Sequence, residues 1–207
     1  MDSSTSRSLR PGLFFRRELF KIFWISLVIF FLCWAVSYFV FYSNQDLTAG
    51  LFNTISQMFQ ENGVYTESGG ISFFALLFNN IRASALMAIL GIIPFLFLPA
   101  IILGYNAVII GIACAFSMAM GTGVSFLVLA LLPHGIFEIP ALILSAALGI
   151  YLCKELVKKL VGRSRLASFS GVFLSMLRFY LCVILPLLVV AALVETYITP
   201  WLLTTLL

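Results

Sequence analysis

The sequence predicts an all-α polytopic membrane protein of about five transmembrane helices, and three observations carry that expectation. The chain is 62% hydrophobic and only 10% charged, with a mean hydropathy of +1.13, too little polar surface to cover a water-soluble globule of 207 residues. Its apolar residues come in runs near the ~20 residues that cross a bilayer, without the period-two alternation of barrel strands. Such runs must be helices, because lipid tolerates only backbone that satisfies its own hydrogen bonds. Finally, the Lys and Arg residues gather at two places, as the ends of cytoplasmic spans do.

Residues 1–21 read as a basic cytoplasmic tail and 22–207 as a single helical transmembrane domain. The tail is rich in Ser and Arg up to Pro11-Gly12, and Phe14 to Phe20 then bring the chain to the membrane surface. The first span, 22–42, is too long for a signal peptide and lacks a small-residue cleavage pattern, which makes it an uncleaved anchor. From Ser43 to Gly70 the chain turns acidic, with Asp46, Glu61 and Glu67 and no Lys or Arg. Leu47, Leu51, Ile55, Met58 and Phe59 nevertheless recur at helical spacing, so an amphipathic helix is expected over 47–61. Further spans follow at 71–98, 100–120, 124–153 and 171–194. Pro133-His134 is expected to break the fourth; a re-entrant half-helix over 124–134 is the alternative geometry.

Orientation follows from charge. Arg7, Arg10, Arg16, Arg17 and Lys21 precede the first span, and Lys154, Lys158, Lys159, Arg163 and Arg165 lie between the fourth and fifth. Five spans put both clusters on one face, so the N-terminus is expected in the cytoplasm and the acidic stretch and C-terminus outside the cell membrane. The basic loop could also hold anionic lipid headgroups.

Small residues mark packing faces. Ala107, Gly111, Ala115, Ala119 and Gly123 recur every fourth residue, as do Ala141, Ser145, Gly149 and Cys153. Such stripes let helix backbones approach closely within one chain, a homo-oligomer contact being the alternative. The four cysteines, Cys33, Cys114, Cys153 and Cys182, are isolated in apolar surroundings and read as small hydrophobes.

Five ionisable residues outside the loop clusters fall within or beside spans: Arg82, His134, Glu138, Arg178 and Glu195. Such groups normally face a bundle interior and find partners. At a rise of about 1.5 Å per residue, Arg82 lies roughly 16 Å from the outer end of its span, and Glu138 roughly 22 Å from the cytoplasmic end. In a core about 30 Å thick these depths predict an Arg82–Glu138 ion pair. Glu138 shares a face with Ala141, Ser145 and Gly149, which points it inward. Arg178 is expected to snorkel and Glu195 to sit at the interface. Asn79, Asn80 and Asn106 add hydrogen-bonding groups.

His134 and Glu138 stand at i and i+4. A zinc centre is not expected, because the chain has one histidine, no clustered thiols and no second carboxylate nearby in sequence. A serine hydrolase is not expected either, since G-x-S-x-G is absent. Two readings remain: His134 and Glu138 stabilise a proline-broken helix, or that helix lines a polar pathway as discontinuous helices do in transporters.

LPHGIFEIPA at 132–141, FNNIRASALMAILGIIPF at 78–95, LGYNAVIIG at 103–111 and VETYITP at 194–200 resemble the stage II sporulation protein M family over roughly 71–200. By that likeness Asn80, Arg82, Gly104, Asn106, Pro133, His134, Gly135, Glu138, Pro140, Glu195 and Pro200 match its signature positions. The resemblance implies a polytopic helical membrane protein, and for sporulation members a role in holding a wall-degrading complex at a septal membrane.

The sequence therefore predicts a non-catalytic membrane scaffold or anchor, with no enzyme activity and no cofactor. Its expected partners are the lipid bilayer and other membrane or extracytoplasmic proteins, with no nucleic acid. The alternative is a transporter or channel built around His134, Glu138 and Arg82. Under either reading the candidate site residues are Asn80, Arg82, Asn106, Pro133, His134, Gly135, Glu138, Pro140, Arg178 and Glu195.

Overall fold

The computed structural model describes residues 10–66, 70–162 and 169–206. Arg7, Glu67, Arg163 and Arg165, on which part of the charge argument rests, lie outside the described residues. Five helices are long and apolar enough to cross a membrane: α1 (Pro11–Tyr42), α3 (Phe73–Ile92), α4 (Leu98–Ala119), α5 (Val124–Leu160) and α6 (Ser170–Leu206). Between α1 and α3 lies α2 (Gln45–Glu61), the expected amphipathic helix.

Local chemistry sets the helix ends. Ser72 caps α3, its side chain accepting from the Ala75 amide, and Pro99 stands in the first turn of α4, where no backbone donor is needed. The turn between them forms around Pro94, so α3 stops at Ile92 rather than near 98. Phe95 and Phe97 there hold left-handed backbone, with φ of 70° and 45°. Thr48 fastens α2 to the end of α1 through its hydroxyl, which donates to the carbonyls of Phe41 at 2.6 Å and Asn44 at 2.9 Å.

The expected break at Pro133-His134 is absent. Helix α5 runs through Pro133 and Pro140 without interruption, and no re-entrant half-helix forms at 124–134. Each proline removes one donor and frees one carbonyl, those of Leu129 and Ile136, a loss that membrane helices packed against neighbours tolerate. Helix α6 differs: it contains π-turns at Tyr180–Ile184 and Val194–Ile198, shortly before Pro186 and Pro200. These wider turns carry the helix past both prolines to Leu206, well beyond the end expected at 194.

Helix α5 is the central element, packing against α1, α3, α4 and α6. Every residue from Ala141 to Gly149 is buried. At Gly149 a Cβ would strike the Met87 carbonyl and the Pro99 ring, and at Gly91 it would strike the Gly149 backbone, so these glycines permit the close approach of α3 and α5. The α4 stripe is buried at Ala107, Gly111 and Ala115 against α1, where Ser37 donates to the Val108 carbonyl at 3.0 Å. Ala119 and Gly123, its remaining members, are not buried. No described cysteine is paired.

On α2, Phe52 stacks on Phe116 of α4 at 4.0 Å, while Leu47 and Met58 of the expected apolar stripe are exposed. The segment after α2 folds back through a bridge between Tyr65 and Ile71, and Val64 packs with Leu76 of α3 and Ala192 of α6.

Candidate functional site

The N-terminal half of α5 and the C-terminal half of α6 bring three ionisable groups together. His134 Nε2 lies 4.0 Å from Glu138 Oε2 on its own helix and 3.9 Å from Glu195 Oε2 on α6. One donor atom from each residue falls within 4.8 Å of the other two. His134 is buried, and only about a fifth of each glutamate side chain is accessible.

Each part is held by local structure. The i, i+4 spacing on an unbroken α5 directs His134 and Glu138 to one face. Glu195 lies inside the π-turn Val194–Ile198, and an inserted residue of that kind rotates the side chains that follow; such turns recur at functional sites. The chain at the N-terminal end of α3 lies against the site. Phe73 stacks on Tyr197 at 6.5 Å, and burial together with the Glu195 charge pushes the Tyr65 phenol above its usual range.

Several buried polar atoms on these helices have no protein hydrogen-bond partner: His134 Nδ1, Asn80 Nδ2, and the hydroxyls of Thr196 and Thr199. Asn80 lies on the buried face of α3 with Leu76, Ser84 and Met87. One turn from Asn80, the Ser84 and Tyr180 hydroxyls bond at 2.6 Å and join α3 to α6. Thr199 is one turn beyond Glu195.

Other expected members stand apart. The Arg82–Glu138 pair does not form: Arg82 is exposed, and the described groups within ion-pair reach of Glu138 and Glu195 come down to His134. Helical phase explains this, because two residues of advance from buried Asn80 turn Arg82 about 200° away from the bundle. Arg178 is likewise exposed, and Asn106 donates to Ile102 one turn back on α4 at 2.8 Å. Gly135 and Pro140 line an apolar groove between α1, α4 and α5, with Phe30, Trp34, Ile110 and Leu131. The residue whose partnership the sequence did not reveal is Glu195. Its signal was the apolar stretch resuming at Tyr197, which makes it an internal residue of a longer span.

These features define a class: a polytopic helical membrane protein with a polar His–Glu–Glu cluster buried between two of its spans. A model of the stage II sporulation protein M family matches residues 26–200, and the chain belongs to that family. No curated protein and no solved structure matches it.

Proposed function

We propose that the protein is a non-catalytic membrane scaffold that anchors another membrane or extracytoplasmic protein. The observation that carries this reading is α2. Among the described residues it is the one helix outside the spans, it is fastened to the bundle by Thr48 and Phe52, and it turns Leu47 and Met58 outward. The described connections between spans are short and leave no room for a folded catalytic domain. Arg10, Arg16, Arg17 and Lys21 at the start of α1 and Lys154, Lys158 and Lys159 at the end of α5 support a cytoplasmic N-terminus, which puts α2 and the C-terminal end of α6 outside the cell membrane.

Mass spectrometry of what co-purifies with the tagged protein from native membranes tests the scaffold. A stoichiometric partner, lost when Leu47 and Met58 are replaced by Ser, is expected. A folded protein that brings down the same set of proteins as an unrelated membrane control removes the reading.

A second reading is favoured by the cluster itself. Ionisable groups this deep in a bundle are costly and recur in ion pathways, so His134, Glu138 and Glu195 support transport or conduction. Reconstituted vesicles that pass no ion or small solute above background would rule that out.

A further inference from the structure

We propose that His134, Glu138 and Glu195 form a binding site for one divalent transition-metal ion within the membrane-spanning bundle. The inference goes beyond the scaffold reading and does not depend on it.

The donor set points to this class of ion. One imidazole nitrogen and two carboxylate oxygens match zinc and manganese, which accept mixed nitrogen and oxygen ligands, whereas a calcium site would be all oxygen. Three protein donors also leave a further position on the ion for water or a ligand.

The distances are those of donors around a gap rather than of hydrogen-bonded partners. A hydrogen bond between imidazole and carboxylate would close to about 2.8 Å, yet both contacts stand near 4 Å. Ligand bonds of about 2.1 Å to a tetrahedral ion put neighbouring donors about 3.4 Å apart. Drawing the two histidine–glutamate contacts in by about half an ångström, and bringing the two carboxylates, whose donor atoms lie within 4.8 Å, closer to each other, reaches that geometry through rotation of the two glutamate side chains.

Charge supports the same conclusion. Two carboxylates share this site, and the described residues supply no Lys or Arg to pair with either. A neutral imidazole and two carboxylates total two negative charges, which one divalent cation cancels. A protonated histidine would cancel only half.

A further observation is independent of the cluster's composition. Thr199, 6% exposed and one turn past Glu195, buries a hydroxyl that finds no protein partner. Nature rarely leaves such groups unsatisfied in a packed interior. A metal-bound water, or a carboxylate fixed by the metal, would give the threonine its partner.

The test uses the full chain without a polyhistidine tag, purified in detergent, stripped with chelator and titrated with Zn2+. About one ion per chain is expected. Glu195→Gln and His134→Asn should each weaken binding by more than about tenfold, while Arg82→Gln leaves it unchanged. No retained zinc, or zinc that both variants bind as tightly as the wild type, overturns the proposal. Should a variant fail to fold, pulsed electron paramagnetic resonance of Mn2+ bound to the wild-type chain decides. His134 is the sole histidine, so coupling to a single imidazole nitrogen supports the site. A spectrum with only solvent and carboxylate around the ion sinks it.

Discussion

The two halves of α5 share one helix and similar composition but are built for different ends. From Ala141 to Gly149 every residue is buried, and small side chains let α3 approach to backbone contact. From Val124 to Pro140 only His134 is buried, with an apolar groove on one side and the His–Glu–Glu cluster toward the other. Close packing in one half fixes the bundle, which allows the other half to keep unpaired polar atoms that a loosely held helix would expose or collapse. Both prolines stand in the open half, where a freed carbonyl disturbs no tight interface.

The largest expected effect tests the packed half. Gly149→Val pushes a branched side chain into the Met87 carbonyl and the Pro99 ring, and neither can rotate aside. Overpacking of this kind should cost about 3 kcal/mol or more. Thermal unfolding in detergent should show a loss of most of the folded protein at temperatures the wild type survives. An unchanged midpoint would mean that the two halves do not differ in the way described.

The next effect belongs to the open half. In a double-mutant cycle, Glu138→Gln and Glu195→Gln should couple by about 0.5–3 kcal/mol, because both face His134. Arg82→Gln combined with Glu138→Gln should add to within about 0.5 kcal/mol, since Arg82 lies on the opposite face. Coupling through Arg82 in place of Glu195 would restore the pairing that depth alone suggests.

A smaller effect is expected between α3 and α6, which both pack on α5. Ser84→Ala removes the hydroxyl bond to Tyr180 that ties α3 to α6, and interhelical hydrogen bonds in membranes average about 0.6 kcal/mol. Tyr180→Phe should cost at least as much, because it also removes the hydroxyl's contact with the Ile81 carbonyl at 3.3 Å, and the double variant little more than Tyr180→Phe alone. Fully additive losses would show that the two hydroxyls act separately.

Much of this was legible before the structure. Hydropathy marked the five spans, and the small residues at 141, 145, 149 and 153 marked the buried face of α5, because packing faces repeat with the helix period. The site was half legible. His134 and Glu138 stand four apart on one helix, so sequence spacing reveals them, but Glu195 joins them from another helix, and no local pattern records that contact. Depth counting gave Arg82 as the partner because it measures position along the membrane normal and is blind to rotation about the helix axis. Pro133 misled for a related reason: its cost is local, while the continuity of α5 is decided by the neighbours around it. The fifth span was expected to end at 194, and the π-turn that carries α6 past Glu195 and Pro200 has no signature in hydropathy.

The smallest expected effect is the sharpest probe of the difference between the halves. A Cβ added at Gly135 meets only the Ile139 Cδ1 atom at 3.6 Å, an ordinary contact, whereas the one at Gly149 meets backbone. Alanine also favours a helix interior over glycine by up to about 1 kcal/mol. Gly135→Ala should therefore leave the unfolding midpoint unchanged or raise it slightly, despite lying beside His134. If the variant instead unfolds early, the N-terminal half of α5 is as tightly constrained as the C-terminal half. If it is stable but loses zinc or its partners, the groove lined by Gly135 and the cluster on His134 act as one unit, and the open half of α5 is where the function resides.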